Sequence, residues 1–188
     1  MRESSSNSPR WQRELTPMLR QVQIMAASLI VPCTVFLAIV LARVMPGLRW
    51  GQPGVITYTG IAFAAAALVS RSVVCNLIVA RTRRSIARGT WRPSGAQTAK
   101  QAEFLEQTGD AGKLVLLRST ITVVAGALIE GPAFLLLVAS LVEGAPLGLI
   151  VAVLLILRLA VEFPTRSRVI RWVEGQLEEL EQQRQLGV

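Results

Sequence analysis

The 188-residue chain contains no histidine. This absence excludes histidine-dependent general bases, zinc sites and haem ligation from its chemistry. Its two cysteines, Cys33 and Cys75, show no CxxC spacing, so nothing indicates a disulfide framework. The motifs GxxxxGK[ST], GxGxxG and GxSxG, which bind nucleotides or carry a catalytic serine, are missing too. We therefore expect a protein that is not an enzyme and that holds neither a metal nor a cofactor.

Charged residues are also scarce, at 17% of the chain, whereas 52% is hydrophobic and the mean hydropathy is +0.47. A water-soluble domain normally carries about 25% charged residues. Four windows hold most of the apolar sequence: Val22–Ala42, Val55–Ala80, Ser119–Val142 and Pro146–Phe163. Since about 20 apolar residues cross a bilayer, the sequence predicts an integral membrane protein with four spans.

The first apolar window is longer than the apolar part of a signal peptide. That part has about 7–15 residues, and no A-x-A-like cleavage site follows Val22–Ala42 cleanly. We expect this window to be a retained helix.

The predicted fold is all-α: four transmembrane helices arranged as two hairpins, followed by an amphipathic cytoplasmic helix. Its expected parts are an N-terminal segment (1–20), hairpin one (21–80), a basic cytoplasmic loop (81–113), hairpin two (114–164) and the C-terminal helix (165–188). A short helix over Ala96–Gln107, ended by Gly109, is expected inside the loop. The connection Glu143–Ala145 is short enough for a tight turn in hairpin two. Apolar residues recur at helical spacing in the tail: Val169, Ile170, Val173, Leu177 and Leu180.

Basic residues are distributed unequally between the two predicted sides. The N-terminal segment, middle loop and tail together hold 15 Lys and Arg, and the two short connections hold 2. The positive-inside rule therefore predicts that both termini and the middle loop are cytoplasmic, in a bacterial inner membrane. Arginines at the ends of the spans are expected to meet anionic lipid headgroups: Arg81, Arg83, Arg84, Arg88, Arg166, Arg168 and Arg171. No aromatic residues interleave with them, so we expect no nucleic-acid partner despite the net charge of +8.

Four charged residues fall inside the predicted spans: Arg71, Glu130, Arg158 and Glu162. Each would cost about 2.5–3.5 kcal/mol at mid-bilayer if unpaired. Arg158 and Glu162 are spaced i, i+4 and could pair with each other. For Glu130 two hypotheses remain open. It either forms an ion pair with Arg71 that fixes helix register, or it is a titratable carboxylate that binds a proton or cation.

Prolines lie within two of the spans. Pro32 is in span one, and the Gly131-Pro132 pair follows Glu130 in span three. A proline inside a helix removes a backbone hydrogen bond, so we expect kinks at these residues.

The segment Ala127–Gly144 (ALIEGPAFLLLVASLVEG) resembles the carboxylate-bearing helix of rotary ATPase c subunits. The chain departs from that family because span one has no glycine and because Glu130 lies on the first helix of its hairpin. It also resembles a family of small, uncharacterised bacterial membrane proteins with four spans. Nine residues carry that pattern: Ala127, Leu128, Glu130, Gly131, Phe134, Val138, Pro164, Thr165 and Arg166. This second resemblance implies the four-span architecture and no particular activity.

From the sequence we expect a structural or accessory subunit that assembles with itself or with a membrane partner. The apolar face of the C-terminal helix is the expected docking element, and it could also lie flat on the bilayer. The alternative is a proton- or cation-coupled translocator that uses Glu130.

Overall fold

The computed structural model describes residues 10–44, 52–93 and 99–185, with the side chains of 10–14 and 99–100 excepted. These ranges form five α-helices and contain no β-strand. In chain order the helices are α1 (Arg10–Val44), α2 (Val55–Ala87), α3 (Ala99–Glu143), α4 (Pro146–Val161) and α5 (Arg166–Gln185). The all-α prediction is confirmed for this part of the chain.

Helices α1, α2 and α3 are each long and apolar enough to cross a membrane, which indicates a membrane protein. Helix α4 has 16 residues and reaches the required length only when it is joined to α5 as a broken pair. The described residues thus contain three candidate spans, or four if that pair is included. The number of spans, the membrane and the orientation stay predictions.

The long helices continue well beyond their apolar windows. Helix α3 has 45 residues, more than twice the about 20 residues that suffice to cross a hydrocarbon core. Much of the sequence expected as a loop is therefore helical, because α2 runs to Ala87 and α3 starts at Ala99. The N-terminal segment is described from residue 10, where α1 already begins, and Leu15 there is fully buried. Each of these helices continues from its apolar window into neighbouring amphipathic sequence. The apolar windows alone therefore did not predict where the helices begin and end.

Gly109 breaks α3, as the sequence predicts. Its backbone has φ 58° and ψ −129°, a conformation that residues with a Cβ rarely adopt. An added Cβ would meet nothing within 4 Å, so the glycine is needed for its backbone conformation and not for a close approach. The segment before this break contains the short helix expected over Ala96–Gln107, with its start at Ala99.

The chain divides into two compact units. Unit 2 consists of Ile24–Cys75 and Thr122–Phe163. Its core contains residues from α1, α2, α3 and α4, including Val40, Ala64, Leu136 and Ala152. Phe36 and Phe134 add a ring contact with centroids 5.5 Å apart.

Unit 1 consists of Met1–Gln23, Asn76–Ile121 and Pro164–Val188, of which the described part is helical except around the α2–α3 connection and before α5. Fully buried apolar side chains come from each of its helical segments. They include Leu15 of α1, Ile86 of α2, Leu114 of α3, and Val173 of α5. Unit 1 therefore has buried apolar side chains from four helical segments.

Exposed large apolar side chains distinguish the two units. Among the described residues they lie in unit 2, with Leu77 of unit 1 as the exception. Val55, Val69 and Val161, for example, are each at least 65% exposed. So many exposed large apolar side chains are unfavourable in water and suit contact with lipid.

Candidate functional site

Three of the four charged residues in the predicted spans meet at one place in unit 2. A terminal guanidinium nitrogen of Arg71 in α2 contacts Oε2 of Glu162, the C-cap residue directly after α4. Nε of Arg158 lies 3.5 Å from Oε1 of the same carboxylate. The i, i+4 pair of Arg158 and Glu162 is thus present as predicted. We call these three residues the arginine–glutamate cluster.

The expected pair between Arg71 and Glu130 is not formed, and depth along the helices explains why. Arg71 follows the first residue of α2 by sixteen positions, and Glu162 follows the first residue of α4 by the same number. Glu130 precedes the end of α3 by only thirteen. Since the α2 and α4 starts adjoin the α3 end, Glu130 lies about 4–5 Å nearer that end of unit 2.

Glu130 is half-buried and has no ion-pair partner among the described residues. Its neighbours Ile129 and Ala133 are packed in the core of unit 2. The buried thiol of Cys33 in α1 is near enough to interact electrostatically with its carboxylate. The hypothesis that Arg71 forms an ion pair with Glu130 is therefore wrong. No basic residue among the described residues of unit 2 balances the charge of the Glu130 carboxylate.

The proline positions do not interrupt the helices that contain them. Pro32 lies inside α1, and Gly131 with Pro132 lies inside α3. The one non-helical backbone conformation in α3 is at Gly109, more than twenty residues earlier. The kinks expected at these residues stay predictions.

A carboxylate at the far end of unit 2 was missed by sequence reasoning. Oε2 of Glu143, the last residue of α3, accepts hydrogen bonds from the backbone N–H groups of Gly54 at 3.1 Å and Thr57 at 3.0 Å. Oε1 accepts from the N–H of Ile56 at 2.7 Å. The first backbone N–H groups of a helix have no partner within it. Glu143 therefore caps the start of α2 from another helix.

Small residues permit this close approach of α2, α3 and α4. Thr57 and Ser140 are fully buried although polar. A Cβ on Gly54 would overlap the Glu143 carboxylate. One on Gly148 would lie 2.9 Å from Oγ of Ser140 and 3.2 Å from the carbonyl oxygen of Leu136. The cap thus depends on glycines at two of the three helix starts or ends that meet here.

The predicted headgroup-binding arginines lie in unit 1. Arg81 and Arg84 are exposed and share one side of α2 at a spacing of three, and Arg88 is exposed directly after the helix ends. Arg83 points elsewhere, since it forms an ion pair with Glu179 of α5. Arg166, Arg168 and Arg171 are exposed at the start of α5. Their contact with lipid stays a prediction.

The apolar face of α5 is not free to dock. Val169, Val173 and Leu180 are at most 4% exposed, and the guanidinium of Arg118 in α3 lies 5.4 Å from the ring centroid of Trp172. At these three residues the face expected to bind a partner or the bilayer is instead covered by the chain itself, whereas its other two residues, Ile170 and Leu177, are half-buried. Its amphipathic pattern was correct, but periodicity does not reveal what covers a face.

A second ionic contact joins α3 and α5 in unit 1. Asp110 accepts hydrogen bonds from Nζ of Lys113 at 2.7 Å and from Nη2 of Arg184 at 2.6 Å. Burial opposes ionisation of Asp110, yet these two hydrogen bonds outweigh it and hold the pKa of the carboxyl below its usual range. Asp110 lies outside the apolar window Ser119–Val142 that is the predicted membrane-spanning part of α3.

No protein-family model, curated protein or solved structure matches the chain. The resemblances to c subunits and to the small four-span proteins therefore stay untested.

Proposed function

We propose that the chain is a small, non-enzymatic structural or accessory subunit of a bacterial inner membrane. Unit 2 lies in the bilayer, and both termini and unit 1 are cytoplasmic. Its function is assembly with a second copy of itself, or with a membrane partner, through the outer face of α2.

The exposed middle of α2 carries the proposal. Only 11% of the most apolar stretch of α2 is buried, against 44% for α3. A stripe of small side chains runs along its exposed surface at spacings of three, four and four: Thr59, Ala62, Ala66 and Ser70. We call these four residues the α2 stripe.

The physics of helix association in lipid supports this choice of face. Water gives no driving force there, so helices associate where small side chains let their backbones approach closely. Within unit 2 the chain uses the same device, since Gly60 of α2 faces Leu136 of α3. The α2 stripe repeats that pattern on the opposite, uncovered side.

Substitution of the stripe tests the proposal. Ala66→Leu adds bulk on the stripe, and Ala65→Leu adds the same bulk to an exposed residue about 100° around the same helix. We expect single-molecule photobleaching in dilute lipid vesicles to show oligomers for wild type and Ala65→Leu, and monomers for Ala66→Leu. A wild-type protein that stays monomeric at all protein-to-lipid ratios contradicts self-assembly.

A second candidate function, proton- or cation-coupled translocation, rests on Glu130. Its carboxyl is half-buried in a candidate span with no ion-pair partner among the described residues. Dicyclohexylcarbodiimide reacts with a protonated carboxyl in an apolar site, so labelling near neutral pH that Glu130→Gln abolishes favours this candidate. Proton flux into vesicles that Glu130→Gln removes, while the fold is kept, would establish it. If neither carbodiimide labelling of Glu130 nor Glu130-dependent proton flux is observed, assembly stays the proposed function.

A further inference from the structure

The arginine–glutamate cluster carries more positive than negative charge. It combines two guanidinium groups, Arg71 and Arg158, with the single carboxylate of Glu162. Unit 2 has only two other acidic residues. Glu143 is engaged at the opposite end, and Glu130 takes part in no ion pair among the described residues. One positive charge of the cluster therefore lacks a counter-charge among the described residues.

The cluster also has hydrogen-bond donors that the described residues do not use. Arg158 approaches Glu162 through Nε alone, and its side chain is 52% exposed. Its two terminal nitrogens have no acceptor in the described structure. Arg71 is only 16% exposed, and its Nε is buried without an acceptor. An oxyanion beside Arg158 would receive two parallel N–H donors, the arrangement that guanidinium offers to phosphate.

The length of α4 brings headgroups to this depth. Its 16 residues measure about 24 Å, less than the roughly 30 Å of a hydrocarbon core. Lipid around a short span thins locally, so that headgroups move toward the helix end. Arg158 is three residues from that end, and its long side chain can extend toward the interface.

We propose that Arg158, supported by Arg71, binds the phosphate of an anionic phospholipid in the leaflet nearest the C-terminal end of α4. Glu162 holds both guanidinium groups in place, and the lipid phosphate supplies the missing negative charge. The inference rests on the placement of unit 2 in a bilayer, but not on assembly through α2.

Lipid retention by the purified full chain tests the site. Native mass spectrometry after detergent removal would compare phosphatidylglycerol with phosphatidylcholine of the same acyl chains. We expect wild type to retain phosphatidylglycerol preferentially and Arg158→Gln to bind it about tenfold more weakly, as befits loss of a charge-assisted contact. Arg43→Gln is the matched control, since Arg43 is an exposed arginine at the other end of unit 2, and it should bind like wild type.

Three results would overturn the proposal. They are equal retention of the two lipids by wild type, unchanged binding by Arg158→Gln, and displacement of the lipid by millimolar inorganic phosphate, which would assign the site to a soluble anion. If Arg158→Gln does not fold, Arg158→Lys can be used in its place, because it keeps the positive charge and loses the two parallel N–H donors. It should bind between wild type and Arg158→Gln. Retention by the Ala66→Leu variant separates this site from assembly, because a monomer should still hold the lipid.

Discussion

Oε2 of Glu143 accepts two hydrogen bonds from Thr57, one from its backbone N–H at 3.0 Å and one from its hydroxyl at 2.6 Å. Thr57 is fully buried, so both donors would otherwise be unsatisfied. Glu143, the last residue of α3, and Thr57, the third residue of α2, thereby hold each other in position. The start of α2 is capped by a residue that is distant in the sequence.

Removing the Thr57 hydroxyl should destabilise unit 2. We expect Thr57→Val to lower the free energy of unfolding by about 2 kcal/mol, since a hydrogen bond to a carboxylate is lost in a buried place. Reversible unfolding in lipid–detergent micelles measures it. Thr34→Val is the control, because the Thr34 hydroxyl is exposed and bonds only the carbonyl oxygen of Ile30 in its own helix. Equal losses for the two variants would contradict a special role for Thr57.

The ion-pair partner of Arg71 can be identified by double-mutant cycles. We expect Glu162→Gln to cost about 2 kcal/mol of unfolding free energy, because it leaves two guanidinium groups without their carboxylate. Arg71→Gln in the same chain should restore part of that loss, with a coupling energy of about 1 kcal/mol. The same cycle for Arg71 and Glu130 should give additivity within about 0.5 kcal/mol. Strong coupling to Glu130 would show that the observed pairing is incorrect.

Two helical glycines should respond oppositely to alanine. Gly148→Ala would press a methyl group against Ser140 and the Leu136 carbonyl, so overpacking should outweigh the gain in helix propensity by about 1 kcal/mol. Gly175→Ala in α5 has nothing within 4 Å and should stabilise by about 0.5–1 kcal/mol. Unfolding free energies of both variants check this. Stabilisation by Gly148→Ala would mean that the three helices are less closely packed than described.

Acidification should weaken unit 1 through Asp110. The pKa of this carboxyl is lower in the folded chain than its usual range, because Lys113 and Arg184 donate to it against the effect of burial. Its contribution to stability is therefore complete above the unfolded pKa and is lost as the pH falls through the lower folded value. We expect Asp110→Asn to reduce stability by about 1 kcal/mol at neutral pH and to have less effect in strong acid.

Hydrogen exchange of α5 as a function of pH measures that contribution. Glu106→Gln is a suitable control, as Glu106 is exposed in the same helix and forms no ion pair among the described residues. An Asp110→Asn variant with the pH profile of wild type would contradict the assignment.

Contacts within one helix could be predicted from the sequence, and contacts between helices could not. The pair Arg158 and Glu162 follows from i, i+4 spacing, and the break at Gly109 follows from its residue type. To predict the partner of Arg71 one must know the first residues of α2 and α4, because Arg71 and Glu162 lie at the same depth only through their equal distance from those residues. Hydropathy windows locate helix ends too loosely for that comparison.

The sequence did not predict the Glu143 cap or the burial of the apolar face of α5, and the reason is related. A carboxylate one residue before the Gly144 turn reads as part of a connection, and nothing in its neighbourhood indicates the start of α2 as its partner. The apolar face of α5 was recognised, but amphipathicity gives the same pattern whether a face meets lipid, a partner or the same chain.

The buried interior of unit 1 has a consequence for how the protein is made. Its fully buried residues Leu15, Ile86, Leu114 and Val173 come from four helical segments, and the segment in α5 follows the other three along the chain. Translation proceeds from the N-terminus at about 5–20 residues per second. We expect the apolar surfaces of the first three segments to stay open until α5 emerges from the ribosome. A nascent chain that stops before α5 would therefore present an incomplete interior, the kind of surface that chaperones and proteases recognise.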